Sequence, residues 1–136
     1  QENIKCMYEG IFDQDMADAF IREHLLNEEE FWTPYPFPSM AVNDPSCEGH
    51  PTFNCWGYYT QGLIVLRCIR WMDAYGWGDD MDYICTKWLE TWTEHFDTIK
   101  LAQEIDPITG IPTASSQWYS SCMLGYIYAV RRLKLL

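Results

Sequence analysis

The segment from about residue 58 to 75 constrains the fold most, because a helix formed there would be apolar most of the way round. Its few strongly polar side chains are Gln61, Arg67, Arg70 and Asp73. Its apolar side chains are Leu63, Ile64, Val65, Leu66, Cys68, Ile69, Trp71 and Met72. A helix without a wide polar face must be covered by other elements. The sequence therefore predicts a helix inside a helical assembly.

Three other segments carry apolar residues at helical spacing and begin near a residue that can cap a helix. They are about 14–27 after Asp13, with Met16, Ala17, Phe20, Ile21 and Leu25 on its apolar side; about 81–101 after Asp79 or Asp80, with Ile84, Trp88, Trp92, Phe96 and Ile99; and about 118–135 after Ser115 or Ser116. Almost no segment alternates as a strand would. In a chain of 136 residues, this pattern indicates one all-α domain.

Residues 31–56 interrupt the helical pattern. Prolines alternate with aromatic residues at Pro34, Tyr35, Pro36, Phe37 and Pro38, and neither a helix nor a central strand tolerates that density of proline. Irregular segments of this length commonly bind ligands or close over a site. A proline-stiffened connector held by aromatic packing is the alternative interpretation.

The formal net charge of −11 repels phosphate backbones and anionic membrane surfaces, so we expect neither nucleic acid nor a membrane as a partner. Neutral ligands such as sugars meet no such repulsion. The aromatic content of 16% supplies side chains that can line a cleft. No apolar run reaches the roughly twenty residues needed to span a bilayer.

Six cysteines are spaced too irregularly for a small disulfide scaffold. Cys68, Cys85 and Cys122 fall within apolar helical patterns, where free buried thiols are expected. Only Cys47 and Cys55 share a loop and could form a bridge. The pattern favours a reducing compartment, hence the cytoplasm, although it is compatible with a periplasmic or secreted protein.

Cys47, His50 and Cys55 also suggest a zinc site. Their C-x2-H-x4-C spacing matches no common structural zinc site, and a fourth ligand would have to come from elsewhere. We therefore expect no metal and no cofactor.

Glu104 is the candidate catalytic carboxylate. It follows a long helical pattern and precedes Pro107 and Gly110, which do not continue a helix, so a loop position is expected. The aromatic pair Trp118 and Tyr119 follows closely. An ordinary interhelical turn is the alternative, because Asp-Pro-x-x-Gly is also common turn chemistry.

Several blocks together resemble the six-hairpin (α/α)6-barrel glycosidases of the trehalase and glycoside hydrolase family 63 kind, which include processing glucosidases and mannosylglycerate hydrolases. Residues 31–45 are similar to their proline-rich Pro-Ser-x-Ala-x-x-Asp-Pro segment, and residues 54–59 to their Trp-x-Gly-Pro-x-Trp block. Residues 104–110 resemble their Glu-x-x-Asn/Asp-Pro-x-Thr-Gly signature, and residues 118–121 their Trp-Ser-Ser helix start. The block at Trp56 lacks the family's usual Arg, Pro and second Trp.

The resemblance implies antiparallel helical hairpins forming about a third of such a barrel, its C-terminal part, as a partial (α/α)6 toroid. It implies an inverting hydrolase of O-glycosyl bonds in which Glu104 is the general base. Carbohydrate is the expected ligand, and the candidate substrate contacts are Trp32, Tyr35, Phe37, Trp56, Gln61 and Trp118.

The family's general acid is an Asp from an earlier segment, and no Asp here lies in a matching motif. Asp44 and Asp106 belong to Asp-Pro turns, where capping the turn is the simpler role. We therefore expect no activity from this chain alone. A second copy or a complementing chain is expected, because an incomplete barrel exposes apolar faces. A non-catalytic helical module that binds carbohydrate or protein is the alternative function.

Overall fold

The computed structural model describes residues 2–47, 57–113 and 116–135. The described residues are mostly helical, which is compatible with the predicted all-α class. Within these ranges the α-helices are α1 (Glu2–Tyr8), α2 (Gln14–Phe20), α3 (Gly62–Cys68), α4 (Gly78–His95) and α5 (Ser120–Arg132), and the short strands are β1 (Thr60–Gln61) and β2 (Glu104–Ile105). A π-helical turn, Ile21–Leu25, continues α2, and a 3-10 turn covers Pro45–Cys47.

Helix α2 begins where the sequence predicts. The Asp13 side chain accepts a hydrogen bond of 2.9 Å from the Met16 amide and so caps the helix. Ala17, Ile21 and Leu25, at four-residue spacing, are buried. Met16 lies one residue off that line and is 51% exposed, so the prediction that it belongs to the apolar side was wrong.

Helix α3 is shorter than the predicted helix because its first residues are used elsewhere. Thr60 and Gln61 pair as a strand, the helix begins at Gly62, and turns follow Cys68. Of the apolar residues of the predicted helix, Ile64, Val65, Cys68, Trp71 and Met72 are buried, whereas Leu63, Leu66 and Ile69 are half-buried.

Helices α4 and α5 also differ from the predictions at their ends. Helix α4 begins at Gly78, with Asp79 and Asp80 in its first turn rather than at the cap, and it ends at His95. The residue before α5 is Tyr119, whose amide donates to the Leu101 carbonyl at 3.1 Å. The chain is therefore paired with residues 100–101 just where a serine cap was expected; Ser115 itself lies outside the described residues.

The core lies where α5 packs against α3 and α4. The side chains of Trp71, Trp88 and Trp92 are fully buried there. Cys68, Cys85 and Cys122 are free and buried, as predicted. Burial raises the pKa of the Cys85 and Cys122 thiols to about 12, so both stay uncharged at neutral pH. Within the described ranges, none of the helices has the length and apolarity needed to cross a membrane.

Arg132 fastens the end of α5 to the elements beside it. Its guanidinium donates to both carboxylate oxygens of Asp73 at 2.7 and 2.8 Å, to the Gly78 carbonyl at 3.0 Å, and to Asp82. The Arg132 side chain is 15% exposed, whereas that of Asp73 is 54% exposed. A two-pronged arginine–carboxylate contact of this kind fixes geometry as well as adding energy.

We expect Arg132→Met to lower the free energy of unfolding by about 1–2 kcal/mol, the lower part of the range for hydrogen bonds to charged groups, because solvent screens the half-exposed carboxylates. The hydrogen bond from Arg132 lowers the pKa of Asp73 below its ordinary 3.8. The stabilisation from this ion pair is therefore complete above the ordinary pKa of 3.8 and is lost as the pH falls through the lowered pKa of Asp73. Urea unfolding at pH 7 and at acid pH measures both effects. Arg131→Met, on an exposed neighbour, is the control and should change little.

Candidate functional site

The two short strands bring three separated segments together. Strands β1 and β2 are antiparallel, with Thr60 opposite Ile105 and Gln61 opposite Glu104. Pro38 forms an isolated bridge with Thr60 on the other side. The proline–aromatic segment, the start of α3 and the segment after α4 therefore meet. We call this meeting point, residues 35–38, 60–61 and 104–110, the strand junction.

Glu104 lies on strand β2, inside the strand junction, so the prediction that it sits on a loop was wrong. It is 0% exposed, and Gln61, 1% exposed, donates from Nε2 to its Oε1 at 3.2 Å. The chain turns back after α4 and pairs with β1, and this pairing buries the carboxylate. Gln61 was predicted to contact substrate, but in this structure its amide group bonds Glu104.

Two side chains near Glu104, those of Cys122 and Thr60, donate hydrogen bonds to backbone carbonyls. The Cys122 thiol donates to the Ala102 carbonyl at 2.8 Å. Burial is the main cause of its raised pKa, and the charge on Glu104 raises it further. Thr60 donates from its hydroxyl to the Tyr35 carbonyl at 2.6 Å. Polar side chains next to Glu104 therefore hold the backbone in place.

Both aspartates of the Asp-Pro turns cap those turns, as the sequence predicts. Asp106 Oδ1 accepts from the amides of Ile108 and Thr109, each at 2.9 Å. Asp44 Oδ1 accepts from the Ser46 amide at 2.8 Å, and this bond lowers the pKa of Asp44. Their carboxylates are thus occupied with backbone donors.

Tyr35 joins the proline–aromatic segment to the loop that follows Glu104 and Ile105. Its amide donates to the Pro107 carbonyl at 2.9 Å, and its ring lies directly against Gly110. Burial, and then the charge of Glu94, raises the pKa of the Tyr35 hydroxyl. The structure therefore places Tyr35 at the strand junction, beside the candidate base loop.

The other predicted contact residues are dispersed. Phe37 is 1% exposed and packs against Trp32, with ring centroids 5.7 Å apart. Trp32 is half-buried and also packs against Tyr83, with ring centroids 5.1 Å apart. Trp118 is 56% exposed, lies edge-on to Phe96, and its amide donates to the Lys100 carbonyl. Phe37 is thus a core residue here, and Trp118 lies on the surface shortly before α5.

Some predictions lie outside the described residues. The predicted contact residue Trp56 is one of them. The possible Cys47–Cys55 disulfide and the zinc site considered at Cys47, His50 and Cys55 also lie there, because His50, Cys55 and the Cys47 side chain are not described. Among the side chains that are described, no group of three or more His, Cys, Asp or Glu is arranged to hold a metal ion.

Sequence reasoning missed Thr60 and Tyr83. Thr60 is 0% exposed and links the proline–aromatic segment to β1, whereas Tyr83 packs against Trp32 from α4. A β-branched residue next to Gln-Gly was the available signal for a strand at Thr60. Tyr83 carried no signal, because a single aromatic on an otherwise polar helix face is common.

Comparison of the sequence with protein-family models finds no match, and comparison with curated proteins finds none either.

Proposed function

We propose that this chain carries the general base, Glu104, of an inverting glycoside hydrolase and forms the C-terminal part of an (α/α)6 barrel. The observation that carries the proposal is the strand junction. It brings together two of the segments that resemble the glycosidase motifs, those that contain Tyr35 and Glu104, and Glu104 is fully buried within it. In such enzymes a carboxylate activates water while an acid about 6.5–9.5 Å away protonates the leaving oxygen.

Gln61 then has a positioning role. A donor fixed at 3.2 Å on one carboxylate oxygen limits the orientations that Glu104 can adopt. Gln61 is itself fixed, because β1 pairs with β2 and runs directly into α3. The strand pairing thus holds the base through one side chain.

Because Glu104 is fully buried, we expect this chain alone to be inactive. A base must come within hydrogen-bond distance of the water it deprotonates, and a side chain that is 0% exposed does not meet that condition in this chain by itself. Asp44 and Asp106 are occupied in turns. The proposal therefore assigns both the general acid and the path to Glu104 to the assembled barrel.

Exposed apolar residues support an assembly with another polypeptide. On α5, Met123, Leu124 and Ile127 are 37%, 57% and 47% exposed, and Ile108 and Ile111 on the loop after β2 are 48% and 54% exposed. Apolar residues grouped in this way commonly mark an interaction surface. A complementing segment or a second copy would cover them.

The test compares the 136-residue chain alone with the chain combined with the polypeptide encoded next to it, using aryl glycosides as substrates. We expect no turnover from the chain alone. In the combined protein, Glu104→Gln should lower kcat by about 10²–10⁴-fold, the usual contribution of a general base. Glu29→Gln, in an exposed turn, is the matched control. Turnover by the isolated chain, or full activity of the combined Glu104→Gln protein, would show the proposal to be wrong.

A non-catalytic carbohydrate- or protein-binding module is the second candidate, and the full enclosure of Glu104 favours it. Glu104 and Gln61 would then be a buried polar pair that fixes the strand pairing. In that case the combined protein has no glycosidase activity to lose.

A further inference from the structure

A cleft lies between helices α1 and α3, outside the strand junction. It has a volume of about 570 Å³, and small-molecule sites commonly have volumes of about 300–1,000 Å³. Each helix, with the residue directly after α1, supplies residues at positions i, i+3 and i+4, which share one helix face. We call this the α1–α3 cleft, and its lining residues are Lys5, Tyr8, Glu9, Leu63, Leu66 and Arg67.

Three of the lining residues present apolar surface to the cleft. Leu63 and Leu66 are half-buried, although Ile64 and Val65 between them are each 1% exposed. Tyr8 is half-buried as well. Apolar surface that remains partly in water is stabilised when a ligand covers it. The cleft therefore favours a ligand with an apolar body.

Positive charge lies at the same cleft. Lys5 and Arg67 line it, and the Arg70 guanidinium carbon lies 4.8 Å from the centroid of the Tyr8 ring. These three cations are a third of the nine Lys and Arg residues of the chain. Among the described residues that line the cleft, Glu9 alone is acidic. The cleft is therefore locally positive, although the whole chain carries a formal charge of −11.

The Arg70 guanidinium is placed to bind a carboxylate. Arg70 is exposed, and it makes no hydrogen bond and no ion pair with the described residues, its one ring contact being with Tyr8. The guanidinium of Arg132, by contrast, is already occupied by Asp73 and Asp82. A guanidinium held over an aromatic ring can still donate from the edge of its planar group, and those donors match a carboxylate in a two-pronged contact. An anion at the cleft would use them.

The negative charge of the rest of the chain favours a small anion over an anionic surface. Charges in water are largely screened beyond about 8 Å at physiological ionic strength, so a single carboxylate at the cleft responds mainly to the cations beside it. A membrane surface extends much farther and would also meet the negative charges elsewhere on the chain. A small molecule with one anionic group on an apolar body is therefore the ligand that fits.

We propose that the α1–α3 cleft binds a small organic carboxylate with an apolar chain, such as a medium-chain fatty acid. The carboxylate accepts hydrogen bonds from Arg70 at the rim, the charges of Lys5 and Arg67 add attraction, and the apolar chain lies against the leucines of α3. Glu104 does not line this cleft, so the binding is independent of the general-base proposal. It gives the chain a ligand of a different class from carbohydrate.

The test titrates the chain with octanoate and follows backbone amide signals by NMR. Octanoate should shift the signals of Tyr8, Leu66 and Arg67. Acetate lacks the apolar chain and octanol lacks the charge, so each should bind about tenfold more weakly or less. Along the series butanoate, hexanoate and octanoate, the affinity should rise by up to about fourfold for each added CH₂ group.

Arg70→Met keeps an unbranched side chain but removes the charge. It should weaken octanoate binding about tenfold, a typical contribution of a hydrogen bond to a charged group. Arg70→Lys keeps the charge without the two-pronged donor and should have a smaller effect. Arg22→Met is the matched control, because the Arg22 guanidinium lies 5.5 Å from the centroid of the Trp77 ring and neither residue lines the cleft. It should leave the octanoate affinity unchanged, and circular dichroism checks that each variant folds like the parent.

Three results would overturn the inference: no shift of the cleft signals with octanoate, equal affinity for octanoate and octanol, or equal octanoate affinity of the Arg70→Met and Arg22→Met chains. Binding to phosphatidylglycerol vesicles that Arg70→Met abolishes would also overturn it, since a lipid surface would then be the partner. Glu104→Gln should leave the octanoate affinity unchanged. A failure of the general-base proposal is therefore separable from a failure of this one.

Discussion

Replacing Gly62 with alanine is expected to destabilise the chain by about 3 kcal/mol, at the upper end of the cost of overpacking a core. A Cβ atom at this position would lie 2.4 Å from Cys122 Sγ, 3.0 Å from Cys122 Cα and 3.0 Å from a ring carbon of Trp88. The thiol is held by the Ala102 carbonyl, and a backbone atom cannot rotate away. Helices α3 and α5 would have to move apart, which would disturb Gln61 directly before Gly62. Urea unfolding followed by circular dichroism measures the loss.

Gly57→Ala provides the control for this prediction. The nearest described atom to its added Cβ is Met40 Cε at 3.6 Å, an ordinary contact, so the free energy of unfolding should barely change. Cys122→Ala in the Gly62→Ala background should restore part of the loss, because the closest contact is then gone while two remain. A Gly62→Ala chain as stable as the parent would mean that α3 and α5 do not approach as closely as the structure shows.

The helices could be predicted because their signal is local. Ile84, Trp88 and Trp92 recur at helical spacing, and all three are buried on α4. Asp13 lies before an apolar pattern and caps α2. Helix ends were less predictable, since they depend on tertiary pairing. The amides of Trp118 and Tyr119 bond the carbonyls of Lys100 and Leu101, which delays the start of α5 to Ser120.

The strand junction could be predicted only in part. Two-residue strands contain no readable alternation, and Gln61 and Glu104 are 43 residues apart in sequence. The motifs indicated that residues near Tyr35, Gln61 and Glu104 belong to one site, and the structure places them at one junction. Burial was not predictable, because Pro107 and Gly110 signal a turn whether the preceding residue faces solvent or the core. The one sequence feature that indicated a buried polar site was Gln61, a single polar side chain at the start of an otherwise apolar run.

Gly110→Ala is expected to lower the free energy of unfolding by about 2–4 kcal/mol. About 1–2 kcal/mol comes from placing a non-glycine residue in the left-handed backbone conformation, and a similar amount comes from steric overlap. Gly110 has φ of +72°, and a Cβ there would lie 2.3 Å from a ring carbon of Tyr35. Tyr35 cannot withdraw easily, because its amide bonds the Pro107 carbonyl and its own carbonyl accepts from Thr60. The loop after strand β2 and the proline–aromatic segment would be forced apart. Thermal and urea unfolding measure the loss.

Two other glycines separate the backbone term from the steric one. Gly10 and Gly76 have φ of +68° and +84°, and no described atom lies within 4 Å of a Cβ built on either. Gly10→Ala and Gly76→Ala should therefore show the backbone term alone. In a Tyr35→Ala background, Gly110→Ala should fall to the same cost, because the steric partner is gone and a double-mutant cycle isolates the coupling. If Gly110→Ala costs no more than Gly76→Ala in the parent chain, Tyr35 does not press on this loop, and the contact that joins the proline–aromatic segment to Glu104 is absent in solution.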